Sequence, residues 1–138
     1  MPAIVLDATI ALGLCFEDQI DATVLQTIQH LRSTPGIVTA QWHLEIADTL
    51  LAAERRKRIL ATDRERFLNL LRALQLETDH EGDNDTWGAS YALAGEHGIR
   101  IQDAQVLLLA LRRKALLATC KPELQRAAKK MGIALVQE

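Results

Sequence analysis

The sequence has little cysteine, little proline and few aromatic residues, and each scarcity excludes a class of protein. Two cysteines among 138 residues, Cys15 and Cys120, provide neither a disulfide framework nor the ligand spacing of a zinc site, so we expect a reducing, cytoplasmic setting. Three prolines and seven glycines exclude collagen-like and low-complexity chains. An aromatic content of 4% leaves few side chains on which nucleic-acid bases could stack.

Long hydrophobic runs and an excess of one charge are also absent. The longest apolar runs, such as 106–111, are far shorter than the roughly 20 residues that cross a bilayer. The N-terminus lacks the pattern of a secretory signal, so no membrane association is expected. Sixteen basic and eighteen acidic residues give a net charge of −2, so nucleic-acid binding would have to use local patches.

What the sequence does contain is the composition of a globular protein. Apolar residues make up 49% of the chain and charged residues 25%, at a length typical of one domain. We therefore expect residues 1–138 to form a single domain that buries its own core without disulfides or metals.

Short apolar runs alternate with helical patterns along the chain. The apolar runs predict strands at 3–6, 37–39, 74–77, 116–119 and 133–136. Helical spacing, caps and stops predict helices at 8–16, 21–32, 42–58, 86–97, 102–114 and 122–131, and one more that opens with a capping box at 62–65. This alternation predicts a three-layer α/β/α fold with a central, mainly parallel sheet of four to five strands.

Three acidic residues follow predicted strands or begin predicted helices. Asp7 directly follows the first strand, Glu45 lies in the first turn of the helix after the second strand, and Asp103 begins the buried helix at 102–114. In open α/β sheets, ligands bind beyond the carboxyl ends of the strands, near the point where the strand order reverses. We therefore expect the three carboxylates to meet on one rim of the sheet.

Each acid also has a purely structural interpretation. Asp7 and Asp103 are suitable helix caps, and Glu45 is an ordinary first-turn acid. As a group they are harder to explain, because clustered carboxylates destabilise a fold unless a cation neutralises them. Asp48 adds to the charge, since it lies three residues after Glu45 on one helix face. Carboxylate ligands without a Cys/His set favour Mg²⁺ or Mn²⁺ over zinc.

These motifs, in this order, resemble those of PIN-domain proteins, and the length suits VapC-type toxins. IVLDAT at 4–9 resembles the opening motif, in which an Asp after the first strand is followed two residues later by a hydroxyl residue. WHLEIAD at 42–48 and IQDAQVL at 101–107 resemble the second and third acidic motifs, and LATCKPEL at 117–124 resembles the fourth. The resemblance spans essentially the whole chain.

What the resemblance implies is a metal-dependent endoribonuclease. Asp7, Glu45 and Asp103 would be its catalytic residues and would hold Mg²⁺ or Mn²⁺ for the hydrolysis of RNA phosphodiester bonds. Thr9 would hydrogen-bond a metal-binding carboxylate or water. The resemblance also implies a cognate antitoxin as a protein partner and a homodimer.

The fourth motif departs from the family pattern, because Lys121 stands where the family often has an acid. Lys121 could contact the scissile phosphate, it could mark weakened or lost activity, or it could be a solvated loop residue, which is the simplest interpretation. Asp48 stands where the family usually has Asn and is a candidate to replace the missing charge. If activity is lost, the chain is instead a PIN-fold module that binds antitoxin or RNA.

Two dense basic clusters are candidates for binding RNA phosphates. They are Arg55, Arg56, Lys57 and Arg58, and then Arg112 and Arg113 with Lys114. Each cluster ends a predicted helix, so solvated charge that suits the helix dipole is the competing interpretation, and salt-dependent RNA binding would separate the two. Trp42, Trp87 and Tyr91 are candidate stacking residues, but we expect them to pack in the core.

A receiver domain that accepts a phosphoryl group is an alternative of a different class. Lys121 and Pro122 after a predicted strand, together with Asp7, are consistent with such a domain. However, Asp7 has no paired acid beside it, and Lys57 stands near where the phosphate-accepting Asp would be expected. The ribonuclease therefore remains the leading interpretation.

Overall fold

A computed structural model describes residues 2–16, 18 and 20–136 of the chain. Within this part, β1 (Ile4–Leu6), β2 (Gly36–Thr39), β3 (Leu76–Asp79) and β4 (Leu116–Ala118) form one parallel sheet. The helices are α1 (Ala8–Cys15), α2 (Ala22–His30), α3 (Trp42–Arg55), α4 (Ala61–Ala73), α5 (Tyr91–His97), α6 (Ile101–Arg113) and α7 (Pro122–Met131). A 3₁₀ helix (Glu81–Asp85) and a π turn (Thr86–Ser90) precede α5.

The sheet has the strand order β3-β2-β1-β4, which places β1 between β2 and β4. Ile4 of β1 pairs with Gly36 of β2 on one side and with Leu116 of β4 on the other. The chain first builds the sheet outward through β2 and β3 and then returns to add β4 on the far side of β1. The strand order therefore reverses between β1 and β4, which is where open α/β sheets bind ligands.

Helices cover both faces of the sheet, because alternate strand residues point to opposite sides. Ile4 and Leu6 lie in an apolar core that α1, α2, α3 and α4 share, whereas Val5 lies in a second core with α6 and α7. All three side chains are completely buried. The result is the predicted three-layer α/β/α architecture.

The ends of the helices follow the local sequence closely. Gly98 after α5 and Gly132 after α7 adopt left-handed backbone angles, with φ of 65° and 75°, which residues with a Cβ adopt only at a cost. Pro122 begins α7, whose bounds are those that the sequence predicts. Among the described residues, none of the helices combines the length and hydropathy that crossing a bilayer requires.

Three predictions about individual elements are wrong. Residues 133–136 form no strand of the sheet, since Leu135 makes only a single parallel bridge to Leu117, and the sheet therefore has four strands. The helix α4 does not open with a capping box at 62–65: Leu60 is its N-cap residue, and its N–H donates to Asp63 Oδ2 at 2.9 Å. The strand β3 begins two residues later than predicted, because Leu74 still caps α4.

Candidate active site

Asp7 directly follows β1 and accepts hydrogen bonds from two threonines. Its carboxylate caps α1 by accepting the N–H of Thr9 at 3.0 Å, and it also accepts the hydroxyl protons of Thr9 and Thr119. Asp7 is 3% exposed. Burial raises its pKa, although the hydroxyls of Thr119 and Thr9 and the charge of Lys121 act in the opposite direction. Asp7 is thus both a helix cap and a buried acid at the switch point.

The two threonines are themselves held by the segment that follows β4. The hydroxyl oxygen of Thr9 accepts the N–H of Cys120 at 2.9 Å, and that of Thr119 accepts the N–H of Lys121 at 3.1 Å. Gln125 donates its side-chain N–H to the carbonyl of Thr119 at 2.9 Å. This network fixes Asp7 between the ends of β1 and β4. Thr119 stands in the fourth motif, but no role for it was predicted from the sequence.

Arg100 connects Asp103 with Glu45. Its Nη2 lies 3.0 Å from Asp103 Oδ1 and its Nε lies 3.2 Å from Asp103 Oδ2, while the same Nη2 lies 3.3 Å from Glu45 Oε2. Arg100 immediately precedes α6, and Asp103 and Glu45 lie in the first turns of α6 and α3. Sequence reasoning missed Arg100; the available signal was its position three residues before Asp103, on the same helix face.

Lys121 joins the same group of residues from the start of α7. Its Nζ lies 3.0 Å from Asp103 Oδ1, and its side chain is 24% exposed, so it is not the solvated loop lysine of the simplest interpretation. Burial acts to raise the pKa of Asp103, but hydrogen bonds and charges from Arg100 and Lys121 outweigh it and hold that pKa below its usual value. We call Asp7, Glu45, Asp103, Arg100 and Lys121 the rim cluster.

The rim cluster as arranged does not fit a divalent metal ion. Cationic side chains bind both oxygens of Asp103 and one oxygen of Glu45, and threonine hydroxyls donate to both oxygens of Asp7. Across residues 2–16, 18 and 20–136, no group of three or more His, Cys, Asp and Glu side chains is placed to hold a metal. The repulsion that a metal was expected to relieve is relieved by two cations of the chain itself.

Other candidate residues lie apart from the rim cluster. Asp48 is exposed on α3, and its side chain makes no hydrogen bond or ion pair within the described part of the chain. The basic residues at 55–58 are exposed at and just after the C-terminal end of α3, roughly 15 Å from Glu45 along the helix axis. Replacement of the missing charge by Asp48 and contact of the basic residues with RNA remain predictions.

Arg112 and Arg113 are exposed at the end of α6 and are paired with acids. Arg112 binds Asp79 at 2.7 Å and Glu81 at 2.9 Å, and Arg113 binds Glu77 at 2.7 Å. These two arginines therefore connect α6 to the edge strand β3, and their contact with RNA remains a prediction. We call this group the edge cluster, and it comprises Glu77, Asp79, Glu81, Asp85, Arg112 and Arg113.

The candidate stacking residues differ in exposure. Trp42 is buried, as expected. Trp87 and Tyr91 are 93% and 69% exposed and lie four residues apart, so the prediction that they pack in the core is wrong.

Cysteine chemistry is not available at the rim. Burial, helped by the nearby carboxylate of Asp21, raises the pKa of the Cys120 thiol to about 11, so the thiol is protonated at neutral pH. Because the thiolate is the nucleophilic form, Cys120 is unsuited to covalent catalysis. Both Cys120 and Cys15 are free.

Two solved structures share this fold over nearly the whole chain. PAE2754 from Pyrobaculum aerophilum superimposes with a TM-score of 0.68 at 20% identity, covering 98% of this chain and 84% of that one. VapC20 of Mycobacterium tuberculosis, a sarcin-ricin loop cleaving toxin, gives a TM-score of 0.63 at 13% identity, covering 91% and 95%. No family model and no curated protein matches the sequence. The chain therefore has the PIN-like fold of VapC, as its motifs predicted.

Proposed function

We propose that the chain is a VapC-type ribonuclease that hydrolyses RNA phosphodiester bonds at the rim cluster and is neutralised by a cognate antitoxin. The observation that carries this proposal is the position of Asp7, Glu45 and Asp103, which come from distant parts of the chain and stand at the switch point of a fold shared with a sarcin-ricin loop cleaving toxin. Ligands of open α/β sheets bind at this point.

Arg100 and Lys121 are the residues best suited to receive the RNA phosphate. The side chain of Arg100 is 50% exposed, and its planar guanidinium can bind two phosphate oxygens, whereas Lys121 offers a point charge. Thr9 and Thr119 hold Asp7 in place at the end of β1. The resemblance assigns Mg²⁺ or Mn²⁺ to the three carboxylates. In the present arrangement cations bind Asp103 and Glu45 and threonine hydroxyls bind Asp7, so the three carboxylates do not fit a metal ion as they stand.

The test is cleavage of end-labelled RNA by the purified protein in Mg²⁺, in Mn²⁺ or in a chelator. Wild type is expected to cleave with a divalent ion, and Asp7→Asn and Glu45→Gln are expected to lose at least 100-fold in rate, with unchanged circular dichroism. Glu54→Gln is the matched control, because Glu54 lies near the other end of α3 and binds Arg64. Cleavage that survives Asp7→Asn would contradict the proposal. Cleavage that persists in the chelator would contradict the part of the proposal that assigns a divalent metal to the reaction.

A PIN-fold module that binds RNA or antitoxin without hydrolysis is the second candidate. Arg100 and Lys121 favour it, because they neutralise carboxylates that a metal-dependent nuclease needs free. This candidate predicts salt-dependent RNA binding without cleavage in any divalent ion. The homodimer, which the resemblance implies, and the cytoplasmic location, which the scarcity of cysteine favours, are further proposals. Sedimentation of the purified protein tests the first of them.

A further inference from the structure

The rim cluster contains its own counter-ions, and they come from separate elements. One nitrogen of Arg100, Nη2, is shared by Asp103 on α6 and Glu45 on α3, as a bridging cation would be. Lys121 Nζ binds Asp103 from the start of α7 and acts electrostatically on Asp7. Arg100 and Lys121 therefore share Asp103 as an acceptor, and Arg100 also joins Asp103 to Glu45, whereas Asp7 is held by the hydroxyls of Thr9 and Thr119.

Both counter-ions can reach solvent and a phosphate. The side chain of Arg100 is half exposed and that of Lys121 is partly exposed, whereas the side chain of their shared acceptor, Asp103, is buried. A phosphate group offers these cations charged oxygen acceptors equivalent to the carboxylates that they would leave. The exchange of acceptors therefore moves the two more exposed side chains and leaves the buried acid in place.

We propose that Arg100 and Lys121 keep the rim carboxylates closed to divalent cations in the RNA-free chain and transfer to phosphate when RNA binds. The second half rests on the proposed function, because it requires RNA as a ligand, whereas the first half concerns the free chain alone. A purely structural pair of salt bridges would only stabilise the fold, and its removal would create no affinity for a metal.

The first experiment contains no RNA. Mn²⁺ binding is measured by calorimetry, and the melting temperature is measured with and without MnCl₂ at constant ionic strength. Wild type is expected to show no melting shift, and Arg100→Gln/Lys121→Gln is expected to bind Mn²⁺ at least tenfold more tightly than wild type and to melt at a higher temperature with it. Equal affinities in the two proteins would overturn the proposal. If the double variant does not fold, Arg100→Gln and Lys121→Gln alone carry the same comparison.

The matched control removes the same charge elsewhere. Arg64→Gln/Arg66→Gln breaks the ion pairs with Glu54 and Asp63, near the opposite end of α3 from Glu45. This variant is expected to bind Mn²⁺ as weakly as wild type does. A gain equal to that of the rim variant would show a general effect of net charge and would overturn the proposal.

The second experiment adds a 2′-O-methyl RNA oligonucleotide, with Mn²⁺ binding to the oligonucleotide alone subtracted. Wild type with RNA is expected to bind Mn²⁺ at least tenfold more tightly than wild type without it, whereas the Arg100→Gln/Lys121→Gln variant gains nothing further. If wild type bound the RNA without binding Mn²⁺ more tightly, the proposed transfer of Arg100 and Lys121 to the RNA phosphate would be overturned. Failure to bind RNA would contradict the proposed function instead and leave the result for the free chain standing.

Discussion

The rim cluster and the edge cluster are both groups of acids accompanied by two cationic side chains, but they connect different parts of the molecule. In the edge cluster both arginines come from the last turn of α6, and their acids lie on β3 or just after it. In the rim cluster, Arg100 and Lys121 immediately precede α6 and α7, and the acids follow β1 or begin α3 and α6. The two clusters therefore share paired acids and cations, but of the two the rim cluster is the one at the switch point of the sheet.

The two clusters also differ in what would follow from losing an acid. Asp7 and Asp103 are buried, and an uncompensated charge near them has little water to solvate it. Glu77 of the edge cluster is exposed, and water can replace its arginine. We therefore expect effects on stability to be large at the rim and small at the exposed side of the edge.

The largest effect is expected from Asp103→Ala, which removes the acceptor shared by Arg100 and Lys121. Because Lys121 would lose its ion-pair partner and Arg100 would keep only Glu45, we expect the free energy of unfolding to fall by about 2 kcal/mol. Exposure of Arg100 keeps the loss below that of a fully buried pair. Urea denaturation at neutral pH measures the free energy of unfolding. A fall of less than about 0.5 kcal/mol would mean that the ion pairs of Asp103 contribute no more to stability than ordinary surface ion pairs do.

A smaller effect of opposite sign is expected from Asp7→Asn. Burial raises the pKa of Asp7 in the folded chain, so its ionisation opposes folding, and the neutral variant should be more stable than wild type at pH 7. The favourable contribution of protonated Asp7 is complete below the unfolded value of 3.8 and is lost as pH rises through the folded pKa. The advantage of the variant should thus be absent at low pH and grow with pH, as paired denaturation curves would show.

Much of the architecture follows from local sequence. Apolar runs identify β1, β2 and β4, and Pro122 and Gly132 mark both ends of α7, because these signals act over a few neighbouring residues. The same local reasoning fails at 133–136, where an apolar run makes one bridge only. Apolar character shows that a segment is suited to burial, but it does not show whether a neighbouring strand is within reach.

The site was predictable only in part, for a related reason. The positions of Asp7, Glu45 and Asp103 at the ends of their elements could be read from the sequence, since they depend on the strand and helix order. The bridge from Arg100 to Glu45 depends on how close α3 and α6 come together, which no local pattern encodes. Likewise, the fully exposed position of Trp87 depends on what surrounds it rather than on its side chain.

The smallest effect is expected from Glu77→Gln, which breaks the exposed pair with Arg113 but leaves Arg113 near Asp79. A hydrogen bond from Arg113 and its charge lower the pKa of Glu77 below the ordinary value of 4.5. The pair therefore stabilises the fold at pH values above 4.5, and this stabilisation is lost as the pH falls through the lowered pKa of Glu77. Salt should weaken the contribution further, because the charges are screened. Urea denaturation at low and high NaCl should show a smaller loss than Asp103→Ala gives, and one that disappears in salt. If Glu77→Gln lowered the free energy of unfolding as much as Asp103→Ala does, and if salt did not change that loss, burial would not explain a difference in stability between the rim cluster and the edge cluster.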